Sequence, residues 1–379
     1  MHIAVAIPTF NRVRNLKVAV EGFLSQRKPN DVTLSLIISN SASTDGTHNY
    51  LKILKKTHPE IYIFNDHLDW DYANFGCILD LLPNDADWVW LMGDDDQFHS
   101  SGSIEKLCEI LRRGSYRSEL AFVHACASDR STNTGNIHIN TMLNLCKRFG
   151  YIEMLGWFSS LIVRRSEFAK VLSILHQKCV LSKEHHVRTN SAFHHSRYLL
   201  EQLYDKPAAF FDEPLVEEQQ DSDKTANQQR WVNENMGERY LFIFDDLLKM
   251  KQSGIPLRDL ENTFFKYHRS HLWDRFMIYQ IDVVQELVAK FSSAQIDSYL
   301  PNFWKNWSRI DNLATLLSST ASHKQHIVIS RTTQTLCKKL LQKPEDQSVR
   351  KVLSETRSML TLPCYDYKID FSESEIIRS

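Results

Sequence analysis

The stretch Trp90-Leu91-Met92-Gly93-Asp94-Asp95-Asp96 ends an apolar run in three adjacent carboxylates. Residues 88–92 are wholly apolar, as expected for a strand buried on both faces. Three carboxylates at the tip of such a strand repel one another and desolvate poorly, so folding alone gives no reason to put them there. A hard divalent cation removes that penalty. Mg2+ or Mn2+ held by one or two carboxylates plus substrate phosphates is a common arrangement. The plainer alternative is a solvated acidic turn capping the helix that starts near residue 103.

Outward from this stretch, apolar strands and helical patterns alternate. Ile3–Ile7 is a buried run closed by Pro8, and residues 13–26 carry Val13, Leu16, Val20, Phe23 and Leu24 at helical spacing. Strands at 34–39 and 61–64, a polar turn at 40–47, a helix through Tyr50, Leu51, Ile53 and Leu54 and another at 73–82 bring the chain to the acidic stretch. Beyond it a helix at 104–113, strands at 121–125 and 159–163, a helix from Ser166 and another over 191–204 are expected. Residues 209–211 and 215–216 read as two short edge strands, and 217–230 as a polar loop. This alternation predicts an α/β fold with a mainly parallel, helix-covered sheet. In such sheets ligands gather beyond the carboxyl ends of the strands. From Trp231 onward helical patterns dominate, so a catalytic α/β domain over 1–230 and a helical domain over 231–379 are expected.

Composition narrows the possibilities. The chain has 379 residues, of which 42% are hydrophobic and 24% charged, and its formal net charge is −1. That is globular composition, with no overall field to recruit nucleic acid. Its seven cysteines are scattered without a C-x-x-C pair. Reduced thiols in a cytoplasmic setting are therefore expected rather than a disulfide framework or a structural zinc site. No basic, apolar leader opens the sequence, and no apolar run reaches the roughly 20 residues of a membrane span. A soluble protein follows, with peripheral contact at the inner face of the membrane and self-association left open. The dense aromatic set Phe264, Phe265, Tyr267, Trp273, Phe276, Met277 and Tyr279 suits a helical core or dimer interface, or a platform for a lipid-linked acceptor.

Two further motifs fall at the same sheet edge. In Ile7-Pro8-Thr9-Phe10-Asn11-Arg12, Thr9 and Asn11 offer hydrogen bonds to a nucleotide and Arg12 can meet phosphate. Ser43-Thr44-Asp45-Gly46-Thr47 follows the second strand. Taken singly, each also reads as a turn with a helix cap.

In this order, PTFNR, SNSASTDGT and GDDD resemble glycosyltransferase family 2. The segment Asp71-Tyr72-Ala73-Asn74 leading to Asp94-Asp95-Asp96 looks like its branch of abequosyl and related deoxysugar transferases. The resemblance is close over 1–110, loose over 111–220 and faint beyond. It implies a GT-A (Rossmann-like) fold and inverting transfer of a sugar from a nucleotide diphosphate-sugar to a hydroxyl of a glycan or lipid-linked glycan. The setting it implies is cytoplasmic assembly of bacterial surface polysaccharide (O-antigen or capsule type), assisted by Mn2+ or Mg2+.

Carried over by resemblance, Pro8, Thr9, Asn11, Arg12, Asn40, Asp45, Asp71, Asn74, Asp94 and Asp95 bind the donor nucleotide. Asp94 and Asp96 match the outer positions of the D-x-D metal motif, with Asp96 a direct ligand. Asn40 stands where the family usually has aspartate. The base of inverting members lies near the start of a late helix, and His195 fits that place by its spacing to Leu199 and Leu203. An imidazole suits base work near neutral pH. Asp212, Glu213 and Glu184 are in reserve. Trp157, Phe158 and Ser159 are expected on the acceptor side. Two rivals stand beside this reading. A sugar nucleotidyltransferase usually carries a glycine-rich loop after its first strand, and residues 8–15 contain no glycine. A non-catalytic glycan-binding or scaffold protein is the other.

Overall fold

The structure, a computed structural model, describes residues 1–66, 76–112, 119–128, 131, 133–177, 194–220, 246, 249–256, 277–278, 280–290, 300–301, 304, 307–308 and 321–360. The described residues fall into two compact units, one holding those up to 220 and the other those from 246 onward. The expected boundary at 230/231 lies outside the described residues, as do Asp71, Asn74, Glu184 and all of the C-terminal aromatic set except Met277.

The first unit is built on a nine-stranded sheet. Its strands are β1 (His2–Thr9), β2 (Thr33–Ser41), β3 (Tyr62–Asp66), β4 (Trp88–Leu91), β5 (Asp96–Phe98), β6 (Phe122–Ala127), β7 (Ile137–Thr141), β8 (Leu161–Arg164) and β9 (Pro207–Glu218). The order is β3-β2-β1-β4-β8-β6-β9-β5, with β7 paired to β9. β1, β2, β3 and β4 are mutually parallel, and β8 joins β4 and β6 antiparallel. This is the GT-A-like α/β class that the sequence resemblance implies.

The apolar runs explain the parallel half. Ile3, Val5 and Ile7 point to one face and share a core cluster with Leu36, Ile38, Trp90 and Met92. Helices α1 (Val13–Leu24), α2 (Thr47–Thr57) and α4 (Ser103–Arg112) cover that cluster through Leu16, Val20, Phe23, Leu51, Leu54, Ile104 and Leu107. Ala4 and Ala6, on the alternate face, are equally buried. A short helix α3 (Ile78–Leu81) packs on β2 and β3, and α7 (Arg165–Leu175) on β4 and β8. A strand covered on both faces has no polar side to show, which is why these runs do not alternate. Helices α5 (Met142–Phe149), α6 (Tyr151–Leu155) and α8 (His194–Leu203) complete this unit.

The strand order has a consequence for ligands. From β1 the chain proceeds to β2 and β3 on one side, then returns to place β4 on the other. The carboxyl end of β1 is therefore the switch point of the strand order, where open α/β sheets take their ligands.

One expectation is corrected. The two short edge strands at 209–211 and 215–216 are a single strand of 12 residues, β9, paired with β5, β6 and β7. The intervening Asp212-Glu213-Pro214 reads as a break, yet the register against β6 shifts between Ala125 and Ala127 and carries the strand past Pro214. A bulge tolerates the missing proline N–H. Asp212 is buried, and hydroxyls of Ser131 (3.3 Å) and Thr134 (2.5 Å) donate to its carboxylate.

In the second unit, α9 (Ala321–Gln342) and α10 (Gln347–Leu360) form a hairpin that buries Cys337, Leu340, Val349 and Leu353. Asp346 caps α10 by accepting from the amides of Ser348 (3.0 Å) and Val349 (3.2 Å). Among the described residues no helix is long and apolar enough to cross a membrane.

Candidate active site

Three loops meet at the carboxyl edge around β1. Those after β1 and β2 interlock through their own polar groups. The Asn11 amide donates to Ser43 Oγ (2.8 Å), and the Thr44 amide donates to Asn11 Oδ1 (2.7 Å). Asn11 adopts φ 53°, a left-handed conformation that asparagine accepts more readily than most residues. Asp45 closes the clasp. It accepts from the Val13 amide at the start of α1 (2.8 Å), and from the Thr47 amide (3.2 Å) and hydroxyl (2.6 Å) at the start of α2. One carboxylate thus caps two helices, where anionic charge is favoured. Burial alone lifts its pKa, but the hydrogen bonds from Thr47 and Val13 outweigh this and hold it below the ordinary value.

Asn40 sits beside Thr9 in the β1–β2 register and is buried. Its Nδ2 donates to Asn65 Oδ1 (2.6 Å), and its Oδ1 accepts from the Ser43 hydroxyl (2.5 Å). The carboxamide expected to meet a base or ribose is occupied by this internal network.

The other flank of β1 is electrostatically different. Thr9 Oγ1 donates to Asp94 Oδ2 (2.7 Å), and Arg12 Nη1 reaches Asp94 Oδ1 (2.7 Å) and Asp95 Oδ2 (2.9 Å). The sequence motifs after β1 and β4 are therefore in direct contact across the switch point. Asp94 is 4% exposed. Burial raises its pKa, with the Arg12 guanidinium opposing.

Asp96 is also 4% exposed and opens β5, opposite Glu218 of β9. The Ser159 hydroxyl donates to its Oδ2 (2.5 Å) and in turn accepts from the Gly93 amide (2.8 Å). Among the described residues no cation forms an ion pair with Asp96. Burial, reinforced by the Asp95 charge, lifts its carboxyl to about 8.

Gly93 marks where the carboxylates converge. A Cβ there would lie 2.8 Å from Asp96 Oδ2 and 2.9 Å from Asp95 Oδ1. Glycine leaves that space open and lets two carboxylate oxygens approach one point. Thr9 and Arg12 engage both oxygens of Asp94, Arg12 also engages Asp95 Oδ2, and Asp95 Oδ1 and Asp96 Oδ2 lie beside Gly93.

These residues fit a divalent cation: two converging oxygens, one from a buried carboxylate with no paired cation of its own. Among the described residues no group of three or more His, Cys, Asp or Glu side chains is arranged to hold a metal. An ion here takes its remaining ligands from phosphate or water, the usual habit of Mg2+.

Ser159 was expected on the acceptor side, and its bond to Asp96 is not legible from sequence. Nor is Gln219, the residue after β9, which binds the backbone of the acidic loop. His195 lies on α8 with 1% exposure and its ring centroid 4.2 Å from that of Phe158. A base must reach the acceptor hydroxyl within hydrogen-bond distance; here the His195 ring is buried and tilted against that of Phe158. Asp212 is enclosed by Ser131 and Thr134, and Glu213 is paired with Lys106.

Comparison with curated protein sequences gave no match. Among solved structures, the chain is similar to mannosyltransferase PcManGT from Pyrobaculum calidifontis in complex with GDP-Man and Mn2+. Identity there is 12% and the TM-score 0.47, over 91% of this chain and 88% of that one. It is also similar to S. aureus TarS 1-349 in complex with UDP-GlcNAc, at 14% identity and a TM-score of 0.48, over 84% of this chain and 91% of that one. Residues 4–170, the stretch that carries Thr9, Arg12, Asp45, Gly93, Asp94–Asp96 and Ser159, match the family model Glycosyl transferase family 2.

Proposed function

We propose that this chain is a glycosyltransferase that takes a nucleotide diphosphate-sugar as donor and transfers the sugar, with inversion, to a hydroxyl of a glycan or lipid-linked glycan. The observation that carries this reading is the convergence of Asp95 and Asp96 over Gly93, beside Arg12, at the switch point of the sheet. The match of residues 4–170 to the family model supports the reaction class.

In this reading Asp96 and Asp95 hold Mn2+ or Mg2+, which when bound neutralises the diphosphate leaving group. Arg12 lies within reach of the same phosphates, and its present bonds to Asp94 and Asp95 keep that positive charge at the switch point when donor is absent. Ser159 fixes the rotamer of Asp96. The Asn11–Ser43–Asp45 clasp holds the β1 and β2 loops at the spacing the nucleoside needs. His195 supports Phe158 from within and is not carried forward as the base. The cytoplasmic surface-polysaccharide setting rests on the sequence resemblance of 71–96, and the C-terminal helices are assigned to acceptor, membrane-surface or self-association contacts on composition.

A specific observation favours one other reading. Arg12 pairs with two of the three loop carboxylates, and Asn40 is committed internally, as in a protein that has kept the fold and lost the chemistry. Titration with UDP, GDP, CDP and dTDP, each with Mn2+ and with EDTA, separates the two. The enzyme reading predicts that at least one nucleotide binds about tenfold more tightly with Mn2+. Absence of binding by all four favours the scaffold.

A further inference from the structure

Gln219 is the first residue beyond β9, is 4% exposed and lies outside all three sequence motifs. Its Nε2 donates to the carbonyls of Asp96 (2.9 Å), Asp94 (3.2 Å) and Asn15 (3.2 Å). Its Oε1 accepts from Asn15 Nδ2 (3.0 Å), and its own amide donates to the Asp95 carbonyl (3.0 Å). One residue therefore receives the carbonyls of all three members of the acidic triplet. It also ties them to the first turn of α1, one turn from Arg12.

Successive carbonyls aimed at one residue restrict the backbone torsions of the loop between them. The loop is short, running from Met92 to Asp95 between β4 and β5, and Gly93 within it contributes little stiffness of its own. The meeting of Asp95 Oδ1 and Asp96 Oδ2 over Gly93 thus depends on how the loop backbone is held. Only a side chain that both donates and accepts can meet these partners. Methionine, of similar length, would leave the Asp94 and Asp96 carbonyls without their Gln219 partner.

We propose that Gln219 is the positioning residue of the acidic loop: it sets the curl that brings the Asp95 and Asp96 carboxylates together and keeps α1, which follows Arg12, in register with them. This rests on the reading of Asp95 and Asp96 as the cation-holding pair.

The test uses the full chain and the ratio of nucleoside diphosphate affinity in Mn2+ to that in EDTA, measured for UDP, GDP, CDP and dTDP beside thermal unfolding. Gln219→Met is expected to keep the EDTA affinity and to cut the Mn2+ gain about tenfold, a typical cost of losing a group that orients metal ligands. Asn15→Ala, which removes only the donor holding the Gln219 carboxamide, is the milder variant and serves if Gln219→Met does not fold. A smaller loss of the same kind is expected from it. Gln97→Met is the control, because Gln97 bonds Glu217 on the neighbouring strand and not the loop carbonyls. It is expected to lower the melting temperature with the Mn2+ gain intact. A wild-type Mn2+ gain in Gln219→Met or Asn15→Ala, with only stability reduced, would overturn the proposal and leave Asp95 and Asp96 as assigned. No Mn2+ gain in the wild-type protein overturns both.

Discussion

The two flanks of β1 are made of similar residues and end in opposite electrostatic states. On the β2 side, the polar groups of Asn11, Asn40, Ser43, Thr44, Asp45 and Asn65 bond one another, and Asp45 is held below the ordinary carboxylate value. On the β4 side, one guanidinium serves two of three carboxylates. Arg12 pairs with Asp94 and Asp95, while burial and the Asp95 charge push Asp96 up against a single hydroxyl bond. Asp45 and Asp96 are both carboxylates at the same sheet edge, but Asp45 is exposed and Asp96 is buried, and burial is the largest cause of the rise at Asp96. They differ as well in the number of N–H and O–H donors aimed at each: three at Asp45 and the Ser159 hydroxyl at Asp96. A flank whose polar groups satisfy one another is a scaffold; a flank with surplus buried negative charge is arranged for a cation that arrives from outside.

The largest effect that would break this contrast is on turnover. Asp96→Asn keeps the side-chain shape and removes the charge, and is expected to lower nucleotide-sugar turnover by about 10²–10³-fold, the scale of losing one preorganised electrostatic contact. Release of nucleoside diphosphate from a panel of nucleotide-sugars measures it. Activity near wild type would place the cation elsewhere.

Stability against pH sharpens the contrast next. In metal-free protein Asp96 titrates at about 8 in the fold, against an ordinary 3.8. Across that window the native state binds more protons than the unfolded chain, so stability is full below about pH 4 and falls as pH rises toward 8. Urea unfolding in EDTA from pH 5 to 8 should show this decline. Asp96→Asn should flatten it, and Mn2+ should restore stability at the alkaline end. A flat wild-type profile would mean that Asp96 meets compensating charge.

The smallest effect belongs to the scaffold flank. Asp45→Ala removes the acceptor of the Val13 and Thr47 amides and should cost about 1 kcal/mol of stability, as for other helix caps. Nucleotide affinity should change less than Mn2+ dependence does in Asp96→Asn. A change confined to affinity, with the denaturation midpoint unmoved, would make Asp45 a ligand rather than a clasp.

Much of this edge was legible in the sequence. Ile3–Ile7, the run into Ser39 and Trp88–Met92 are too apolar for anything but strands covered on both faces, and the polar motifs that end them must then share one edge. What stayed hidden depends on contacts distant in sequence. β9 looks broken at Asp212-Glu213-Pro214 because its bulge and its hydroxyl partners come from β6 and from Ser131 and Thr134. Ser159 and Gln219 reach the acidic loop from 63 and 123 positions away along the chain, so local spacing carries no trace of them. The engagement of Asp94 by Thr9 and Arg12 is a contact of the same long-range kind. His195 is instructive in another way. Its spacing to Leu199 and Leu203 is the i, i+4, i+8 pattern of one helix face, and both leucines are fully buried. The spacing that selected it as the base is the spacing that buries it.

Anomalous diffraction at the manganese edge, from crystals soaked with Mn2+ and a nucleoside diphosphate that binds, tests the surplus charge of the β4 flank most directly. The account predicts a peak within about 2.0–2.6 Å of oxygens from both Asp96 and Asp95, with Arg12 turned from the carboxylates to the phosphates. A bound nucleotide with no peak there, and Arg12 still spanning Asp94 and Asp95, would contradict it.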